Sequence, residues 1–199
     1  MTAAVEAMLR RALDRPSGAS SDFDLNPGIR PPLAKPLRPA AVLVPVWLRP
    51  DGAALILTKR ASHLKHHPGQ IAFPGGKVDQ GDASPMAAAL REAQEEIGLD
   101  PARVQVIGSL PDHETVTGFA MTPYVGLVQG DFTPVPEAGE VEEVFTVPLH
   151  HVLTPERFLV EGRVWMGSRR RYYVVPYGPY YIWGATARVL RGLAERAAE

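Results

Sequence analysis

The chain has no cysteine among its 199 residues, which excludes disulfides, thiolate metal sites and cysteine nucleophiles and leaves the redox compartment undecided. It also lacks an uninterrupted apolar run of about 18 residues, so no membrane-spanning helix is expected. Neither sign of charge is in excess. Twenty-one Lys and Arg against 22 Asp and Glu leave a formal net charge of −1, which gives no electrostatic reason to expect nucleic acid or an anionic membrane as partner. The amphipathic stretch Met1–Arg15 has no apolar core of the signal-peptide kind, and its acids Glu6 and Asp14 are unlike a mitochondrial transit helix. The C-terminal Ala-Ala-Glu is not a peroxisomal address. A cytoplasmic protein is expected. No internal repeat is visible.

What is present is a globular composition, 45% hydrophobic and 22% charged, in a length that suits one domain with a real core. Residues 1–15 read as a helix, and 16–39 as a connector rich in Pro, Gly and Ser, ordered only if it packs on the rest. The division expected is therefore an N-terminal helix and proline-rich arm, 1–39, and a main domain, 40–199. Ala40–Leu48 and Ala53–Lys59 are apolar runs separated by Arg49-Pro50-Asp51-Gly52, a hairpin signal. Gln70–Phe73, Arg103–Leu110, Met121–Val128, Val141–Val147 and Arg171–Pro176 read as further strands. Phe158–Glu161 and Val164–Met166 read as a hairpin turning at Gly162-Arg163, and Tyr181–Ala198 as a closing amphipathic helix. Strands with one helix in the middle and one at the end argue an α/β layered domain with a mixed β-sheet.

The most informative stretch is Arg91-Glu92-Ala93-Gln94-Glu95-Glu96-Ile97-Gly98-Leu99, which follows Phe73-Pro74-Gly75-Gly76 at short range. Ser84-Pro85 supplies an N-cap and a first-turn proline and Gly98 a C-cap, which predicts one helix between them. Glu92, Glu95 and Glu96 then share a face. Like charges at i,i+4 cost an isolated helix roughly 0.2–0.5 kcal/mol per pair, and no cationic residue follows one turn on. A divalent cation would offset them, and clustered carboxylates are the hard oxygen ligands of Mg²⁺ or Mn²⁺.

That arrangement resembles the Nudix box, the signature of hydrolases acting on nucleoside diphosphates linked to another moiety. Gly76, Asp82, Arg91, Glu92, Ala93, Glu95, Glu96, Gly98 and Leu99 fill its places, with Asp82 standing where glutamate is usual. The resemblance implies the Nudix α/β/α sandwich. Leu57-Thr58-Lys59-Arg60-Ala61, then Lys65, Gly69 and Phe73-Pro74-Gly75-Gly76, is similar to the extra motif of the coenzyme A pyrophosphatase branch, with Lys65 where arginine is usual. Asp79-Gln80-Gly81-Asp82-Ala83-Ser84 also looks like that branch, and explains a gap before Arg91 one residue longer than the common box. Downstream, Val116-Thr117-Gly118, Thr122-Pro123 and Trp183-Gly184-Ala185-Thr186-Ala187 are similar too, so the likeness spans roughly residues 40 to 193.

By this resemblance Glu92 and Glu96 are primary metal ligands, Glu95 serves a second ion or acts through water, and the carbonyl near Gly76 completes the shell. Asp82 and Arg91 pair to hold the loop against the helix. Glu140 is a further carboxylate for metal or water, or else decoration of an acidic loop with Glu137, Glu142 and Glu143; Glu114 is a rival base. Coenzyme A carries a 3′-phosphate and a diphosphate, so cationic partners are needed; Lys59, Arg60, Lys65, His66 and His67 are the candidates. The Arg169-Arg170-Arg171 run reads more simply as solvated charge, and Tyr172 to Trp183 as packing for the last helix. His113, His150 and His151 lack zinc-ligand spacing. The alternatives are a Nudix enzyme for ADP-ribose or another nucleoside diphosphate derivative, and a nucleotide-binding module without catalysis. The expected partner is a small-molecule substrate, in a monomer or a homodimer.

Overall fold

The computed structural model describes residues 2–30, 35–165 and 167–198. Met1, Pro31, Pro32 and Met166, parts of the expected helix, connector and hairpin, lie outside them. The elements are α1 (Thr2–Asp14), β1 (Ser20–Ser21), β2 (Arg38–Arg49), β3 (Gly52–Arg60), β4 (Ile71–Ala72), β5 (Gly75–Lys77), α2 (Pro85–Ile97), β6 (Val104–Ser109), β7 (His113–Glu114), β8 (Phe119–Val128), β9 (Val141–Pro148), α3 (Leu149–Val152), β10 (Leu159–Trp165), β11 (Ser168–Val174) and α4 (Gly184–Ala198).

Among the described residues nine strands form one mixed sheet whose main path is β1-β7-β8-β2-β3-β4, with β5 on β2, β6 on β8 and β9 on β3. Its spine is the parallel ladder of β2 with β8, from Arg38 opposite Phe119 to Trp47 opposite Val128. Alternation along β2 explains its unbroken apolar run. Ala41 and Leu43 pack in one core with Ala88, Ala89, Ala93 and Ile97 of α2, while Val42, Val44 and Val46 pack in a second core with Leu9 of α1 and Leu190 and Leu193 of α4. A strand buried on both faces reads as continuous hydrophobicity. The result is the α/β/α sandwich.

The N-terminal segment is tied to that sandwich. Leu9 and Ala12 of α1 are buried, and β1 pairs in parallel with β7. His113 is fully buried; its Nδ1 lies 2.9 Å from Ser20 Oγ and its Nε2 3.2 Å from Asp22 Oδ1. This histidine therefore pins the arm, whose Asn26 also donates to Arg171 O at 2.8 Å and accepts from Arg171 N–H at 2.7 Å. The arm thus packs on its own chain.

The hairpin turns and the last helix begins at other places than the sequence reading expects, and the last strand is Ser168–Val174 instead of Arg171–Pro176. Gly162 and Arg163 lie inside β10, paired with Arg171 and Arg170 of β11, and the reversal falls at Gly167 with φ +78. Trp183 precedes α4 and forms an isolated bridge with Val174; the helix starts only at Gly184. Among the described residues no helix is long and apolar enough to cross a membrane.

Candidate active site

Two glycines and one helix build the site. Gly75 has φ +150, and a Cβ there would lie 2.5 Å from the Ala41 carbonyl, so the position admits only glycine. At Gly76 a Cβ would lie 2.5 Å from Glu92 Oε1. The missing side chains let β5, paired with β2 through Ala41 and Val42, run directly beneath the carboxylates of α2. That helix forms as its sequence dictates: Ser84 Oγ accepts the Ala87 N–H at 3.1 Å, Pro85 opens the first turn, and Gly98 closes it in the left-handed region at φ 69. Ala88, Ala89 and Ala93 are buried on the sheet side; their small size brings the helix close.

Glu96 is the unusual group. It is 5% exposed, its Oε2 accepts the Gly75 N–H at 3.2 Å, and among the described residues it makes no ion pair. Burial pushes its carboxyl up to about 7; the Gly75 N–H opposes this, the charges of Glu92 and Glu140 add to it, and Arg60 opposes it. Burial also raises Glu92, against the pull of Arg91.

The carboxylate trio is less unbalanced than its spacing suggests. Arg91 grips Asp82 with two bonds, Nε to Oδ1 at 2.9 Å and Nη2 to Oδ2 at 3.1 Å. Its Nη1 turns back to Glu92 Oε1 at 3.1 Å and Glu95 Oε2 at 2.9 Å. The offsetting cation thus comes from one turn before Glu95. Asp82, held by Arg91 and then by the Asp79 N–H, has its carboxyl below the usual range. With exposed Glu95 engaged by Arg91, no three His, Asp or Glu side chains among the described residues converge to hold an ion as they stand. The donor chemistry fits a hard divalent cation all the same. Glu92 and Glu96 are oxygen donors whose charge burial penalises, packed against a glycine strand that leaves its backbone open.

Glu140 is exposed, and its charge acts on both Glu92 and Glu96. Its carbonyl accepts the Ala61 N–H at 2.8 Å, and the same loop is tied to α2 by Glu137 N–H to Glu96 O at 2.9 Å. Glu114 sits elsewhere, on β7, where it binds Arg30 and accepts from Ser21 Oγ at 3.4 Å; it is not among the charges acting on Glu92 or Glu96. Of the basic candidates, Arg60 is the one whose charge reaches Glu96. Lys59 Nζ is taken up by Glu142 at 2.6 Å, while Lys65 and His66 stand exposed on the loop.

Arg170 and Arg171 of the arginine run and the C-terminal aromatics Tyr172 and Trp183, which sequence reasoning set aside, meet in a cavity of about 470 Å³. Arg163, Arg170, Arg171, Tyr172 and Trp183 line it, with His67 and Gln70 from the end of the basic loop. The alternation of β10 and β11 was a usable signal for this, masked by the misplaced turn.

Comparison with known proteins agrees with this geometry. The chain matches the NUDIX domain over residues 37–166. A protein of Enterobacter sp. (strain 638) named Uncharacterized Nudix hydrolase NudL is 44% identical over 169 residues, covering 83% of this chain and 88% of the relative. The NudL of Salmonella newport (strain SL254) is 47% identical over 157 residues, covering 79% of this chain and 81% of the relative. The crystal structure of the M. smegmatis Nudix hydrolase RenU superposes with a TM-score of 0.50 at 25% identity, covering 59% of this chain and 74% of that one. A MutT/nudix family protein from Enterococcus faecalis shares the fold, with a TM-score of 0.52 at 16% identity over 85% of this chain and 64% of that one. The chain belongs to the Nudix hydrolases, enzymes that cleave diphosphate bonds in small molecules with the help of divalent cations.

Proposed function

We propose that this chain hydrolyses the diphosphate bond of coenzyme A to 3′,5′-ADP and 4′-phosphopantetheine, with acyl and oxidised CoA as further candidate substrates. The observation that carries the reading is the Leu57–Gly76 segment. Its strand β3 ends in Arg60, whose charge reaches Glu96, and its loop returns through Gln70, whose carbonyl accepts the Arg60 N–H at 2.9 Å, into the two glycines under α2.

Glu92 and Glu96, with the backbone at Gly76, would hold Mg²⁺ or Mn²⁺, and Glu95 would join on leaving Arg91. Such a cation, when bound, neutralises charge on the diphosphate and acidifies its water. Asp82 and Arg91 keep α2 registered on the loop. Glu140, open to solvent and acting by its charge on half-buried Glu92 and buried Glu96, would take the water's proton. Arg60, with Lys65 and His66, faces the diphosphate, and Lys59 anchors the loop to β9 through Glu142.

The test is a substrate panel with Mg²⁺ and product identification. The expected result is CoA cleaved faster than ADP-ribose, with 3′,5′-ADP as product. A clear preference for ADP-ribose would overturn the coenzyme A assignment and leave the family membership intact.

A further inference from the structure

The cavity beside β10–β11 is built for a different task from the carboxylates. Arg163 and Arg170 stand opposite each other across the strand pair, with Tyr172 two residues further along β11, so all three share one face of the hairpin. Trp183 meets Tyr172 at 5.1 Å between ring centroids, tilted by 59°. Gly184 and Ala185, the first residues of α4, form part of the wall, and no acidic side chain occupies that helix's first turn. A 15-residue helix that starts in the wall of a cavity lined by guanidiniums favours a phosphate there. Asp22, the one acid among the described residues of the wall, has its carboxylate engaged by the Val116 N–H at 2.8 Å and by His113. Aromatic faces beside guanidiniums suit a nucleobase.

We infer that this cavity binds the nucleoside end of the substrate, the base against Tyr172 and Trp183 and a phosphomonoester among Arg163, Arg170 and the start of α4. The inference rests on the coenzyme A reading and deepens it: the 3′-phosphate is selected by the hairpin arginines, and the basic loop is left for the diphosphate. The geometry connects the two places. Gln70 lines the cavity, and Gly75, whose N–H binds Glu96, lies five residues on, a span of at most about 18 Å. One extended molecule can occupy both.

Binding is measured calorimetrically on the metal-free full chain with adenosine 3′,5′-bisphosphate, AMP and 4′-phosphopantetheine. The variants are Arg163→Gln/Arg170→Gln and Trp183→Leu. Arg163 is exposed, while Arg170 also lies over the Phe23 ring at 5.4 Å; the thermal midpoint of the double variant is checked first, and Arg163→Gln alone serves if it falls. Wild type should prefer the bisphosphate over AMP by about tenfold or more, as one charge-assisted contact implies. The double variant should lose that preference with AMP affinity unchanged, and Trp183→Leu should weaken both nucleotides. Equal losses for both nucleotides in the double variant, no loss, or loss of 4′-phosphopantetheine binding instead would overturn the inference. No turnover is involved, so the two readings fail separately. An intact bisphosphate preference in a chain that does not cleave CoA overturns the coenzyme A assignment alone. Normal CoA cleavage with an unaltered preference in the double variant overturns the cavity assignment alone.

Discussion

Glu96 is ionisable, buried and held by one backbone N–H, so its free energy depends on pH and on occupancy. Its folded pKa of about 7 lies above the ordinary 4.5. In the absence of metal the folded state therefore binds the proton more tightly than the unfolded chain. Stability is fully present below the ordinary value and is lost as pH rises from 4.5 through about 7, by an amount on the order of 3 kcal/mol. Glu96→Gln should abolish that slope and melt higher than wild type at pH 8 without metal, while turnover with Mg²⁺ falls by orders of magnitude. Near-normal turnover at saturating Mg²⁺ would remove Glu96 from the metal site; an unchanged melting slope would contradict its burial cost. The glycines make a second contrast. Gly76→Ala forces its Cβ onto the Glu92 carboxylate, a side chain that can swing aside, so activity should drop with little loss of midpoint. Gly75→Ala meets backbone and a left-handed φ, so the fold itself should suffer, by several kcal/mol in chemical denaturation.

At the scale of elements, α2 is set by its caps. Ser84→Ala removes the acceptor for the Ala87 N–H and should cost about 1 kcal/mol in urea unfolding, with kcat nearly preserved, because the cap touches no carboxylate. A large loss of kcat with unchanged stability would mean that Ser84 acts on the site itself. Helix and sheet were legible because their signals are local: caps at Ser84 and Gly98, and apolar runs in strands covered on both faces. The carboxylate face was legible for the same reason. The hairpin was not. Gly162-Arg163 has the composition of a turn, yet β10 runs straight through it, since cross-strand pairing from Leu159 to Trp165 outweighs the local preference of one glycine. Losing that register hid the shared face of Arg163, Arg170 and Tyr172. Trp183, assigned to a helix by spacing, lies outside it because Gly184 begins the helix with φ +67. The pairing of Arg91 with Glu95 was within reach of the sequence, as an i,i+4 pair read toward the N-terminus.

For the whole molecule, the arm and the C-terminal helix hold one another. Arg196 Nη2 donates to the carbonyls of Leu13 at 2.9 Å and Arg15 at 2.7 Å, and Leu9 is fully buried in the core that contains α4. Leu9→Ala should therefore destabilise the entire chain by about 2–5 kcal/mol in a single cooperative transition. A separate early transition of the N-terminal segment would mean that residues 1–39 form an independent unit. The β10–β11 hairpin has another consequence. Among the described residues it pairs with no strand of the main sheet, and Leu159, Val160 and Val164 are 50%, 52% and 70% exposed, so its rims offer a template on which further copies could stack edge to edge. Arg163, Arg169, Arg170 and Arg171 repel such copies. The guanidiniums assigned to the ligand thus also act as gatekeepers against aggregation, and an anion that neutralises them lowers that barrier: light scattering at high protein concentration should rise as bisphosphate fills the cavity.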